Sequence, residues 1–204
     1  MTTHLSRFFA VAGLAVSVAG IGLGQQPLDK RTALELLKPR VTLPVTGTFS
    51  VYPASDNERP AREVYRDLER AGVISCRTKD DKGKPVCSPG PHGGDLGHAS
   101  PLELSFLAGS LVPAEVFEVT STGLNTQVEF RLSLQATPLY SKYKDRLDRI
   151  NTEAPTLAER TSDKVATAFF RLYDDHRWHY GGIDSVRELG ARPAAPSEER
   201  KPIR

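Results

Sequence analysis

Three short stretches of this chain hold the residue types best suited to chemistry. His92, Asp95 and His98 lie in a glycine-rich run, Pro89-Gly-Pro-His-Gly-Gly-Asp-Leu-Gly-His98. Two imidazoles and a carboxylate suit zinc or copper, and a flexible loop can fold around an ion. A structural zinc site takes four ligands, however, and this spacing matches no recurrent ligand pattern. The expectation is a mobile loop with solvent-facing histidines and no metal. Asp174, Asp175, His176 and His179 form the second stretch. His176 and His179 fall on opposite faces of a strand, because side chains alternate, so only a tight turn would make them converge. A polar turn is the expected outcome. The third stretch holds Cys76 and Cys87. Redox pairs usually sit as C-x-x-C with a lowered thiol pKa. The wider spacing here, around a turn signal at Asp80-Asp-Lys-Gly83, predicts a structural Cys76–Cys87 disulfide closing a hairpin. Closing a loop of this length stabilises by ~3 kcal/mol in the chain-entropy model.

Other catalytic patterns are missing from the sequence. No serine sits in a G-x-S-x-G elbow. Gly93-Gly-Asp-Leu-Gly97 lacks the dinucleotide and Walker patterns. No catalytic or cofactor-binding residue is assigned on this basis, and a small hydrolase using His92 or His98 stands only as an alternative. Phe169, Phe170, Tyr173 and Trp178 fall on one expected hairpin. They read as core with a cross-strand pair, or as the wall of an apolar ligand pocket that would also use Leu132.

Compartment is read from the first residues. Met1–Gly24 has one cation, Arg7, then an apolar run from Phe8 to Leu23, and ends Gly22-Leu-Gly24. This is the layout of a cleaved secretory signal of bacterial type, with cleavage before Gln25 and a secreted or periplasmic destination. The run is shorter than the ~20 apolar residues of a spanning helix. Contact with a membrane is expected only through this leader if it is kept. No cysteine lies near Gln25 to carry a lipid. Of the 27 Lys and Arg only Arg7 lies in the leader, so the remainder nearly balances the 25 Asp and Glu. Such a balance lacks the field of a nucleic-acid binder.

The elements that must position these residues follow from pattern. Asp29 caps a helix to Lys38 that Pro39 stops. Val41 to Val51 alternates as an extended segment. Ser55, Asp56 or Asn57 opens a helix over 58–71 with Ala61, Val64, Tyr65 and Leu68 on one stripe, and Gly72 closes it. Helix, glycine, short strand and wide hairpin in that order resemble the last helix and wing of winged-helix domains. The helix carries both charge signs, which reads as a solvated face. Residues 88–100 read as loop. Ser100-Pro-Leu-Glu103 has the form of a capping box and predicts a short helix to Ala108, with a strand as the alternative from Leu102, Leu104 and Phe106. Val116–Val119 and Val128–Leu134 read as strands around a turn at Gly123 and Asn125. Leu139, Tyr143, Leu147 and Ile150 form a helical stripe. Such a helix could lie across a curved sheet, as in cystatin-like sheets. A polar link over 151–160 precedes a central strand over 164–173 with both faces largely apolar. A return strand carries Trp178, and Asp184 caps a last short helix.

The expected class is therefore α+β, an antiparallel sheet with packed helices. The expected domains are a leader (1–24), a globular region (25–190) and a disordered tail (191–204). The expected role is a non-catalytic binding or interaction protein of the cell envelope, with an envelope protein as partner. The alternative is a pocket protein for a small apolar ligand.

Overall fold

The computed structural model describes residues 27–53 and 58–190. The expected leader, the cap candidates Ser55, Asp56 and Asn57, and the expected tail lie outside the described residues. Asp29 caps α1 (Lys30–Leu37) by accepting the Thr32 N–H at 2.7 Å. Ala33 and Leu37 face inward from it. Then come β1 (Leu43–Ser50) and α2 (Arg59–Arg70), whose Val64, Tyr65 and Leu68 are buried. Gly72 follows α2 with φ +70°, a conformation that glycine adopts without steric cost. β2 (Ile74–Lys79) and β3 (Pro85–Pro89) form a separate two-stranded sheet. So the order helix, glycine, hairpin holds in the N-terminal half.

The main sheet is antiparallel and strongly curled, in the order β1-β5-β6-β7-β8. It contains β5 (Glu103–Thr122), β6 (Asn125–Ala136), β7 (Lys164–Leu172) and β8 (Trp178–Glu188). β4 (Leu96–Ser100) pairs with the start of β5, on the side that β6 occupies further along. α3 (Pro138–Ile150) packs on α2, β1 and β5, whereas α1 packs on β5. With α4 (Leu157–Thr161) these give helices beside an antiparallel sheet, the α+β class expected. The core is built on Phe49, Phe106, Tyr140, Phe130, Leu132 and Phe170, each at most 2% exposed.

Several local expectations are corrected. Ser100-Pro-Leu-Glu103 opens no helix. Ser100 Oγ accepts the Leu102 N–H at 3.2 Å in a tight turn between β4 and β5. Leu104, Phe106 and Ala108 then point into the core from a strand with partners on both sides. Period-two burial and two ready ladders outweigh a local cap signal. Residues 96–100 belong to β4 rather than to a loop, for the same reason. No helix follows Asp184, because β8 continues to Glu188 alongside β7. The link over 151–160 includes α4, opened by a capping box between Thr156 and Glu159. β7 lies between β6 and β8 as the expected central strand, but its outer face is partly open, with Phe169 39% exposed while Phe170 is 1% exposed.

Both outer edges of the main sheet are blunted. On β1, Asn151 Oδ1 accepts the Thr48 N–H at 3.2 Å and the Thr152 N–H donates to Thr48 O at 3.0 Å. On β8 the register to β7 shifts twice, and Gly182 has φ +134°. Bulged edges resist pairing with a foreign strand.

Candidate functional site

The first candidate pair is a staple. Cys76 on β2 and Cys87 on β3 form a disulfide with their Cα atoms 3.9 Å apart. The Cys87 N–H donates to Val51 O at 2.7 Å, and the Cys76 N–H to Glu69 Oε1 at 3.2 Å. The staple thus ties the hairpin to the end of β1 and to α2.

The glycine-rich run is a latch on the end of α2. His92 Nδ1 lies 2.9 Å from Ala71 O, and the His92 N–H donates to Gly72 O at 2.8 Å. A carbonyl only accepts, so Nδ1 carries the proton. The ring therefore satisfies one of the carbonyls that a helix end leaves without a partner. The glycines allow this approach. A Cβ on Gly90 would stand 2.4 Å from Gly72 O, and one on Gly93 would stand 2.1 Å from Val73 O. Asp95 and His98 are exposed, His98 on β4. His92, Asp95 and His98 do not converge, and among the described residues no three His, Cys, Asp or Glu side chains are placed to hold a metal.

The second candidate cluster is a polar turn in which Asp175 and His179 are in contact. His179 Nε2 lies 3.0 Å from Asp175 Oδ2, and Asp175 Oδ1 accepts the Arg177 N–H at 3.0 Å. The hydrogen bond to His179, then that from Arg177, holds the Asp175 carboxyl below its usual range. His179 also meets the Tyr173 ring edge-on at 4.8 Å, and His176 sits at φ +59°. Asp174 is exposed at the same turn.

This turn forms one wall of a cleft of about 630 Å³ whose other wall is α1 and its flanks. Pro27, Leu28, Leu36 and Trp178 supply apolar surface, and Arg40, Arg177, His176 and His179 supply polar surface. Leu28 and Leu36 were not singled out by pattern. Leu36 lies off the buried Ala33–Leu37 stripe of α1, and that second apolar face was the available signal. A groove of about 560 Å³ runs between α2 and α3, lined by Asp67, Tyr143 and Arg146 among others. A third cleft, of about 740 Å³, lies between Tyr52 and the tip of the β2–β3 hairpin. Phe170 and Leu132 line none of the three, being packed in the core.

One further cluster has the types of an acyl-transfer pair. Lys164 is 9% exposed. Its Nζ donates to Glu159 O at 2.6 Å, to Ser162 Oγ at 2.9 Å and to Glu188 Oε1. All three donors are used, which leaves no lone pair to take a proton from Ser162. Hydrogen bonds from Lys164 and Ser162 hold the Glu188 carboxyl below its usual range. The cluster works as a clasp between α4 and the ends of β7 and β8.

Comparison with protein-family models, curated proteins and solved structures gave no match.

Proposed function

We propose that this chain is an exported, non-catalytic binding protein of the cell envelope. The observation that carries the reading is the cleft between α1 and the 173–179 turn, where an indole, two leucines and a proline meet two arginines. Trp, Tyr and Arg are the side chains that most often dominate binding energy. Tyr173, beside the cleft, is 53% exposed. Export rests on the leader read from Met1–Gly24. The Cys76–Cys87 bond supports it, because disulfides persist chiefly in oxidising compartments. A small apolar ligand at Phe170 and Leu132 draws no comparable support, since both side chains are buried in packed core.

The test places a photo-reactive amino acid at Leu36, at His176 or at Gln127 on the outer face of β6, in the native host. Leu36 and His176 are expected to give a covalent adduct of defined mass, and Gln127 none. Adducts at Gln127 alone would overturn the choice of surface. A purified chain still carrying Met1–Gly24 in the cytosolic fraction would overturn export.

A further inference from the structure

We infer that Cys76–Cys87 is a reversible redox site, opened at Cys76 by an external dithiol and reclosed in place, with the fold intact throughout. The site shares no residue with the cleft beside α1. Exchange begins when a thiolate reaches one sulfur of a disulfide, so access decides whether a bond reacts in a folded protein. The two cysteines differ in access. Cys87 is 1% exposed, whereas Cys76 is half-buried. Ser75 pairs with Ser88 and Thr78 with Val86, so Cys76 and Arg77 together oppose Cys87 in a bulge. Arg77, Thr78 and Lys79 beyond it are exposed. Among the described residues β2 and β3 pair with no other strand. The bond thus lies where the hairpin leaves the body of the protein, and opening it leaves the main sheet untouched.

Reclosure in place follows from how the two cysteines are held. Each is tied to an element outside the hairpin. The Cys76 N–H donates to Glu69 Oε1 on α2 at 3.2 Å, and the Cys87 N–H donates to Val51 O, just after β1, at 2.7 Å. Below the bond, the Gly90 N–H donates to Val73 O at 2.8 Å and Ile74 is 1% exposed. None of these contacts uses the sulfur–sulfur bond. The two thiols of the reduced chain therefore stay opposed at high effective concentration. The chain has only these two cysteines, so the attacking thiol comes from outside, and a dithiol is the matching substrate class. One of its thiolates attacks Cys76 Sγ and forms a mixed disulfide, while Cys87 Sγ leaves as a thiolate and takes a proton. The second thiolate of the dithiol then attacks its own partner sulfur, and Cys76 Sγ leaves and takes a proton. The chain gains two electrons and two protons, and the dithiol is oxidised to a disulfide.

The test treats the purified oxidised protein with dithiothreitol in native buffer, traps free thiols with iodoacetamide and reads the intact mass. Reduction is expected at a rate proportional to dithiothreitol and unchanged by urea below the unfolding transition. The circular dichroism of the sheet should persist, and oxidised dithiothreitol should restore the bond. With glutathione and an acid quench, the first mixed disulfide is expected on Cys76. A reduction rate that climbs with urea in step with unfolding would overturn the inference, because the bond would then be reached only from the unfolded chain. So would a first adduct on Cys87, or a reduced chain that loses its sheet signal. Glu69→Ala frees the Cys76 N–H and leaves the Cys87 contact in place. It is expected to shift the equilibrium with dithiothreitol roughly threefold towards the reduced form, the worth of one modest hydrogen bond. An unchanged equilibrium in that variant would overturn reclosure between thiols held in place.

Discussion

The stapled corner and the long sheet are held together by different means. In the corner, formed by α2, the β2–β3 hairpin and the 90–93 latch, backbone meets backbone. Gly90 N–H donates to Val73 O at 2.8 Å, His92 N–H to Gly72 O and Cys87 N–H to Val51 O, with one covalent bond across the hairpin. In the sheet, side chains dominate: Val128, Phe130, Leu132, Ala166, Ala168 and Phe170 are all at most 1% exposed. A corner built from close backbone approach is sensitive to an added atom. A sheet built from apolar burial is sensitive to a removed one. Two of the open surfaces show a parallel contrast. The groove between α2 and α3 pairs Arg146 with Asp67 at 3.3 Å, so its charges hold helices together. In the cleft beside α1 the closest polar pair, His179 with Asp175 at 3.0 Å, lies within one wall instead of joining two elements.

Four measurements sharpen or break this contrast. The largest effect is expected in the sheet. Phe130→Ala should cost ~3–5 kcal/mol by urea denaturation, combining lost burial with a cavity. A cost under about 1 kcal/mol would mean the sheet interior collapses freely and is not close-packed. Next is the staple. Cys76→Ser with Cys87→Ser should cost ~3 kcal/mol, and hydrogen exchange should rise over 74–89 while β5 and β6 stay protected. Uniform loss of protection would make corner and sheet a single cooperative unit.

A pair of neighbouring glycines comes third. Gly93→Ala forces a Cβ to 2.1 Å from Val73 O and should cost ~1–3 kcal/mol, the range of overpacking. Gly94→Ala meets nothing within 4 Å and should be neutral, or stabilising by up to ~1 kcal/mol. Equal effects would remove the latch from the account. The fourth effect is set by pH. Asp29, Glu159, Asp175 and Glu188 have carboxyls held below their usual values, each chiefly by hydrogen bonds to the ionised form. Groups lowered on folding stabilise above their ordinary values of 3.8 for Asp and 4.5 for Glu, and that stability is lost as pH falls through the lowered values. Acidification below about 4.5 should therefore loosen α1, α4 and the ends of β7 and β8 first. Exchange that rises first over 74–89 would contradict it.

Legibility in the sequence followed the range of the deciding interaction. Asp29, the α2 stripe, Gly72, the β6 alternation and the α3 stripe were readable because each signal lies within a few residues of its effect. The disulfide was readable because its turn lies between the two cysteines. Ser100-Pro-Leu-Glu103 misled because a local cap pattern competed with ladders from β1 and β4, one of them a strand about fifty residues away in sequence. Asp184 misled in the same way, since β7 offered β8 a partner that no local rule records. The candidate site was the least legible. His92 read as a possible ligand because its true partner, Ala71 O, belongs to a helix end that the loop reaches only by folding back.

What the sequence by itself determined is the set of elements with strong periodicity, the staple, the near balance of charge and the α+β class, all of which follow from residue type and spacing. Tertiary structure alone decided that the glycine-rich run is a latch, that β5 runs on through a capping pattern, and that Leu28, Leu36 and Arg40 share a cleft with Arg177 and Trp178. The physical reason is distance along the chain. Close backbone approach, edge coverage and charge accounting depend on groups far apart in sequence, and no local pattern records which of them will meet.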